Sequence, residues 1–261
     1  MTRTTVIAGR AILTLVYGFL YVPIAVLVLL SFNEAGLPTV WSRFSFRWYV
    51  SLAHNADILL AARNTLAVAV FATLISTVLG TMLALGIETR VRRSRGLEAL
   101  IFAPMIIPDI VLAVALLSFF SWLDVTMGLW TIMVSHVVFD LAFVCAVVRA
   151  RLKHFDFSIV EASRDLGASA VTTFRRVTLP VILPGVVAGA LLAFTLSVDE
   201  FIIAFFTAGA GHSSITLPMK IYSMIRFGVT PEINALATLV MGVSALALLV
   251  SQRLNRSALL P

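Results

Sequence analysis

"VEASRDLGASAVTTFRRVTLPVILPG", residues 160–185, decides how the rest of this chain is read. It holds three arginines, a glutamate and an aspartate between apolar runs long enough to cross a bilayer. At its start, Ser158 and Glu161 fit S-x-x-E, the spacing of a capping box, in which the serine caps the helix and the glutamate reaches back. Ile159, Ala162 and Leu166 then recur at helical spacing. Gly167 stands where a helix commonly ends in a left-handed residue. Ser169 offers a cap for a second short helix carrying Val171, Phe174 and Val177, with Arg175 and Arg176 suited to its C-terminal end. Leu179-Pro180 is expected to stop that helix, and Pro184-Gly185 to lead into an apolar span. The pattern predicts two short amphipathic helices joined at a glycine bend. Such a segment either lies on lipid or inserts into the groove of a soluble partner.

The surrounding composition is that of a polytopic membrane protein. The 261 residues are 60% hydrophobic and 12% charged, with a mean hydropathy of +1.03. A soluble domain is nearer a quarter charged. Six stretches reach the roughly 20 apolar residues a span requires: 11–31, 64–86, 97–120, 129–148, 184–206 and 233–251. The first follows Arg3 and Arg10 but is too long for a signal-peptide core and lacks a clear cleavage site, so it is expected to remain as an anchor. Six spans place both termini on one side. Of the 19 Lys and Arg residues, 14 fall in the N-terminus, the 90–95 loop, the 149–184 segment and the C-terminus. The positive-inside rule therefore puts both termini and the quoted segment in the cytoplasm. The net charge of +6 is a topology signal, because the basic residues are dispersed and form no nucleic-acid reading motif. The single cysteine, Cys145, lies in an apolar run and can form no disulfide within the chain.

With the segment placed in the cytoplasm, its residues carry a family resemblance. Glu161, Ala162, Ser163 and Gly167, then nine residues, then Val177, Leu179 and Pro180 match E-A-A-x-x-x-G…I-x-L-P, with Ser for the second Ala and Val for Ile. This resembles the signature of permease subunits of binding-protein-dependent ABC importers. The preceding residues 150–156 match the family loosely. "SVDEF" at 197–201 and "LPMKIYSMIRFGVTPEINALATL" at 217–239 are similar to the second permease subunit of spermidine/putrescine importers. The resemblance implies an all-α type I importer permease of the MetI-like kind, a single transmembrane domain over 1–261 with a coupling-helix segment at 156–182. It implies that Glu161, Ala162, Ser163, Gly167, Phe174, Leu179 and Pro180 dock on an ATP-binding cassette ATPase. The other implied partners are a second homologous permease, an extracytoplasmic substrate-binding protein and a polyamine solute, in a bacterial inner membrane. ATP and Mg²⁺ belong to the partner ATPase, and no cofactor is expected on this chain. Permeases for other small solutes are the near alternative, and an ATP-independent secondary transporter the more distant one.

The residues themselves contain no G-x-x-x-x-G-K-[ST], no H-E-x-x-H and no nucleophile elbow, so no enzyme site is expected. The informative groups are acids within the apolar runs. Asp199 and Glu200 follow Gly185 by 14 and 15 residues, roughly 21–23 Å along a helix, in the outer half of the membrane. Their helix stripes carry small and polar residues, as for a protein- or water-facing surface. They either attract a cation along the substrate path or satisfy structural partners, pairing with a base or with backbone amides. Asp109, after Pro104 and Pro108, lies near mid-depth, where a proline-broken helix lines a cavity or simply packs. Asp140 stands four residues after His136, and a local hydrogen-bonded pair is expected. Two ligands do not make a metal site. In 207–232, placed outside, Leu217, Ile221, Met224 and Ile225 predict a helix that either packs or receives a binding protein. The 32–63 loop, with Trp41 and Trp48, reads as interfacial.

Overall fold

The computed structural model describes residues 3–36, 40–89, 95–226 and 228–243. Their regular structure is helical, apart from one isolated bridge between Asn33 and Phe44. Four helices are long and apolar enough to cross a membrane: 9–30 within α1 (Arg3–Leu30), α3 (Ala56–Thr89), α6 (Leu129–Leu152) and the continuous run 170–199. A bent pair raises the number to five if it is counted as one span: Gly96–Met105, which takes in most of α4 (Arg95–Phe102), and α5 (Asp109–Trp122), with 106° between them. Of the sixth expected span, Pro231–Val243 is helical and the remainder lies outside the described residues.

Two expected spans have different boundaries from those read in the sequence. The third is two helices, because Pro104 sits in a 3-10 turn at Ala103–Met105 and Pro108 ends the turn in an extended conformation. Proline withholds a donor and pushes the preceding residue out of the α region. The fifth begins earlier than expected, since Leu179-Pro180 does not stop the helix. α8 (Ala170–Thr173) runs through a π-helical turn at Phe174–Thr178 into α9 (Leu179–Asp199). Across that turn the Leu179 N–H donates to the Phe174 carbonyl, five residues back. The wider turn makes room for Pro180, whose ring would clash with a carbonyl four residues back in a regular helix.

The chain divides into two compact units, Met1–Leu59 with Ile221–Pro261, and Leu60–Lys220. In the first, α1 presents apolar side chains outward along its length, among them Leu15 and Phe19. After α1, Asn33 organises the chain. Its side-chain amide donates to the Val40 carbonyl at 2.8 Å, its Oδ1 accepts the Ser42 N–H at 3.0 Å, and its carbonyl accepts the Trp48 indole N–H at 2.8 Å. Phe32, Phe44, Phe46 and Tyr49 pack ring on ring beside it. The neighbouring Arg43 pairs with Glu34 and holds its carboxyl below the usual range.

In the second unit α3, α6 and α9 meet at small residues. A Cβ at Gly80 would fall 2.8 Å from the Val144 Cβ, and one at Gly189 would fall 3.3 Å from the Val144 Cγ1. Val144, fully buried, is thus held between two glycines, the close approach that small residues permit between membrane helices. At Gly185 a Cβ would meet the Arg151 side chain at 2.8 Å. Around this crossing, Ala84, Cys145, Val148, Leu152, Ile182 and Ala193 form a buried apolar cluster.

Candidate functional site

The segment between α6 and α9 folds from its local chemistry. Asp156 Oδ1 accepts the Ser158 N–H at 3.0 Å and starts α7 (Ser158–Asp165); hydrogen bonds from Ser158 hold the Asp156 carboxyl below the usual range. This corrects the expected capping box: Ser158 is already helical, and Asp156 supplies the acceptor. Gly167 has φ +82°, the left-handed conformation expected of it. Its N–H donates to the Arg164 carbonyl at 2.8 Å, and the Ala168 N–H to the Ser163 carbonyl at 3.1 Å, which together form a Schellman ending. Ser169 Oγ then accepts the Thr172 N–H at 3.3 Å and caps α8. The hydroxyls of Ser163 and Thr173, 3.1 Å apart, tie the two short helices together.

This knob is anchored at its root and apolar at its tip. Buried Phe155 stacks edge-on against Phe157, and both join the apolar cluster of α3 and α6. Leu166, by contrast, is 89% exposed and Val171 66%. Glu161, Ala162 and Gly167 are also exposed; Ser163, Phe174 and Leu179 are half-buried, and Pro180 is exposed. A cavity of about 460 Å³ lies behind the knob, lined by Glu88 and Thr89 of α3, Glu161 and Arg164 of α7, and Phe174. Beside it, Arg149 donates to Glu88 at 2.6 Å and to both oxygens of Glu98 at 3.2 Å, joining the ends of α3, α4 and α6. Sequence reasoning missed this junction. Its only signal was one arginine and two glutamates at the ends of separate apolar runs.

The intramembrane acids differ sharply in environment. Asp109 opens α5 directly after Pro108 and is half-buried. Asp199 ends α9 and is exposed. Glu200 lies in the break between α9 and α10 (Ile202–Thr207), only 9% exposed. Its two oxygens accept the Ile203 and Ala204 N–H groups, each at 3.0 Å. From α6, His136 Nε2 stands 3.7 Å from Glu200 Oε2, and His136 Nδ1 is 2.7 Å from Ser197 Oγ. The expected His136–Asp140 pair does not form. The imidazole turns to α9, and both Asp140 oxygens, fully buried, lack a hydrogen-bond partner. Among the described residues, no group of three or more His, Cys, Asp or Glu could hold a metal.

The predicted helix after the fifth span is present as α11 (Leu217–Ile225). The stretch leading to it is fastened to α3: the Asn64 amide donates to the Ser213 and Ile215 carbonyls at 2.8 and 2.9 Å, and the Leu217 N–H donates to Thr65 Oγ1 at 2.7 Å.

Comparison with known proteins agrees with this architecture. The family described as binding-protein-dependent transport system inner membrane component matches residues 76–257. The spermidine/putrescine transport system permease protein PotC of Escherichia coli (strain K12) is 39% identical over 245 residues, covering 94% of this chain and 92% of that protein. The putrescine transport system permease protein PotI of the same strain is 42% identical over 240 residues, covering 88% and 84%. Among solved structures, a bacterial ABC transporter involved in the import of the acidic polysaccharide alginate superposes with a TM-score of 0.79. It shares 16% identity and covers 99% of this chain and 97% of its own, a likeness of fold.

Proposed function

Since the chain belongs to the family of binding-protein-dependent transport system inner membrane components, we propose that it is one permease half of an ATP-driven polyamine importer. The observation that carries the solute is the 39% identity, along 94% of the chain, to a spermidine/putrescine permease. The acids fit such a solute. Asp109 and Asp199 sit at the ends of apolar helices, and among the described residues neither has an ion-pair partner. A polyamine carries several positive charges, and fixed carboxylates offset the barrier a low-dielectric path opposes to it.

In this reading both termini and the α7–α8 knob are cytoplasmic, on the side favoured by the Lys and Arg count. Exposed Leu166 and Val171 enter a groove of the partner ATPase, which binds ATP and Mg²⁺. Movement of the knob passes along one uninterrupted helical run, 170–199, about 45 Å at 1.5 Å per residue, to Asp199 at its far end. Closure of two ATPase subunits thereby tilts this permease against a second, homologous one and alternates access to the acids. An extracytoplasmic binding protein delivers the solute. The test is the ATPase rate of the purified complex, measured with binding protein and a panel of solutes. Stimulation by spermidine or putrescine is expected. Stimulation only by an uncharged or anionic solute would overturn the solute assignment.

A further inference from the structure

Two adjacent acids end the same helix, yet they face opposite surroundings. Asp199 is exposed and Glu200 is enclosed. At Glu200 the backbone leaves the helix (φ −68°, ψ 121°) and α10 starts two residues later. A break inside an apolar span frees backbone N–H groups that lipid cannot satisfy. Glu200 meets that need with both oxygens, one on Ile203 and one on Ala204. With one backbone donor on each oxygen and only 9% of the residue exposed, this carboxylate is committed to the chain and offers a solute ammonium little access.

α6 grips the same break from both sides. His136 Nδ1 is hydrogen-bonded to Ser197 Oγ ahead of it, and its Nε2 stands beside Glu200 within it, 3.7 Å away. Further along, Thr131 Oγ1 donates to the Thr207 carbonyl at 2.6 Å and holds the other end of α10. α10 in turn packs Ile203 against Leu112 and Ala113 of α5, the helix that Asp109 opens. The position of the break therefore sets where Asp199 stands relative to Asp109.

We infer that Glu200 is a positioning residue: by capping α10 it fixes the break that presents Asp199 to the solute, and it does not itself bind the solute. This rests on the proposed polyamine path, in which Asp109 and Asp199 are the contacting acids.

The experiment uses the assembled importer with Glu200→Gln, Glu200→Leu and Asp199→Asn, reading KM and maximal rate of spermidine uptake. A parallel set carries Asp199→Cys, and its labelling by a water-soluble thiol reagent reports the presentation of position 199 without any solute. Glu200→Gln keeps the length and one acceptor, so KM and the labelling rate are expected to stay within about twofold of the parent, with a lower maximal rate. Glu200→Leu removes both acceptors and is expected to change the labelling rate at least about fivefold and to lower the maximal rate about tenfold or more. Asp199→Asn is expected to raise KM about tenfold, the effect of losing one charge-assisted contact. A KM for Glu200→Gln raised as far as that of Asp199→Asn would overturn the inference, because the Glu200 charge would then be binding solute. Unchanged labelling and rate in Glu200→Leu would overturn it as well. If Glu200→Leu does not assemble, KM and labelling in Glu200→Gln decide. If the parent takes up no polyamine, the polyamine reading fails, and the labelling series still tests the role of Glu200.

Discussion

Gly167 is the most informative single position for coupling. It holds φ +82° and closes α7 through two hydrogen bonds, at 2.8 and 3.1 Å. A Cβ built there meets nothing within 4 Å, so the chain itself has room for a side chain. Substitution therefore carries two separable effects. The first is backbone strain, about 1–2 kcal/mol for a residue that resists the left-handed region. That lowers the population of the bend by about 5- to 30-fold at most. Gly167→Ala isolates this effect, and Gly167→Asn largely avoids it, because asparagine tolerates that backbone. The second effect is bulk beside the exposed Leu166 tip, and it matters only if a partner seats there. Gly167→Arg adds both. The assay is membrane insertion, co-purification of the ATPase and polyamine uptake for all three variants. Insertion should be normal throughout, with uptake near parental for Asn, reduced for Ala and absent for Arg. Parental uptake in Gly167→Arg would refute the docking role. Equal loss in Asn and Arg would refute the division into strain and bulk.

Three further outcomes follow from other parts of the fold. Single cysteines at the exposed positions Ser169 and Ser213 should react from opposite faces of sealed membranes; labelling from one face would break the orientation. Gly80→Ala places a Cβ 2.8 Å from that of Val144 and 3.1 Å from the Cys145 backbone nitrogen, and should lower the stability of the solubilised chain by about 1–3 kcal/mol; an unchanged melting temperature would refute the close approach of α3 and α6. Arg149→Met leaves Glu88 and Glu98, both partly exposed, without their partner at the junction of α3, α4 and α6, and a loss of about 1–2 kcal/mol in stability is expected, with Glu88→Gln as a partial suppressor. A melting temperature unchanged in Arg149→Met would show that the junction adds nothing.

The knob was legible because its determinants are local. A glycine with an exposed αL backbone and a serine cap act within four residues, and both stand where the pattern placed them. The start of α7 was less legible for the same reason: Asp156 and Ser158 can each supply a cap, and spacing alone does not choose between them. Pro180 misled because the rule that proline ends a helix assumes α-helical turns, and a π turn evades the clash. At Pro104 and Pro108 the break was readable, but the 106° bend was not, since packing sets the angle. The acids exposed the firmest limit. His136 and Asp140 share a helix face, yet the imidazole turns to Ser197 and Glu200, residues brought near by the crossing of α6 and α9. No glycine or proline marks residues 200–201, so nothing local announced the break that Glu200 caps.

The most direct measurement is uptake of labelled spermidine into proteoliposomes holding this permease, its partner permease, the ATPase pair and the binding protein. Accumulation is expected that requires ATP and Mg²⁺ on the ATPase face and disappears when the ATPase pair is omitted. Equal uptake without the ATPase, or ATP-driven uptake of other solutes but never of a polyamine, would contradict it.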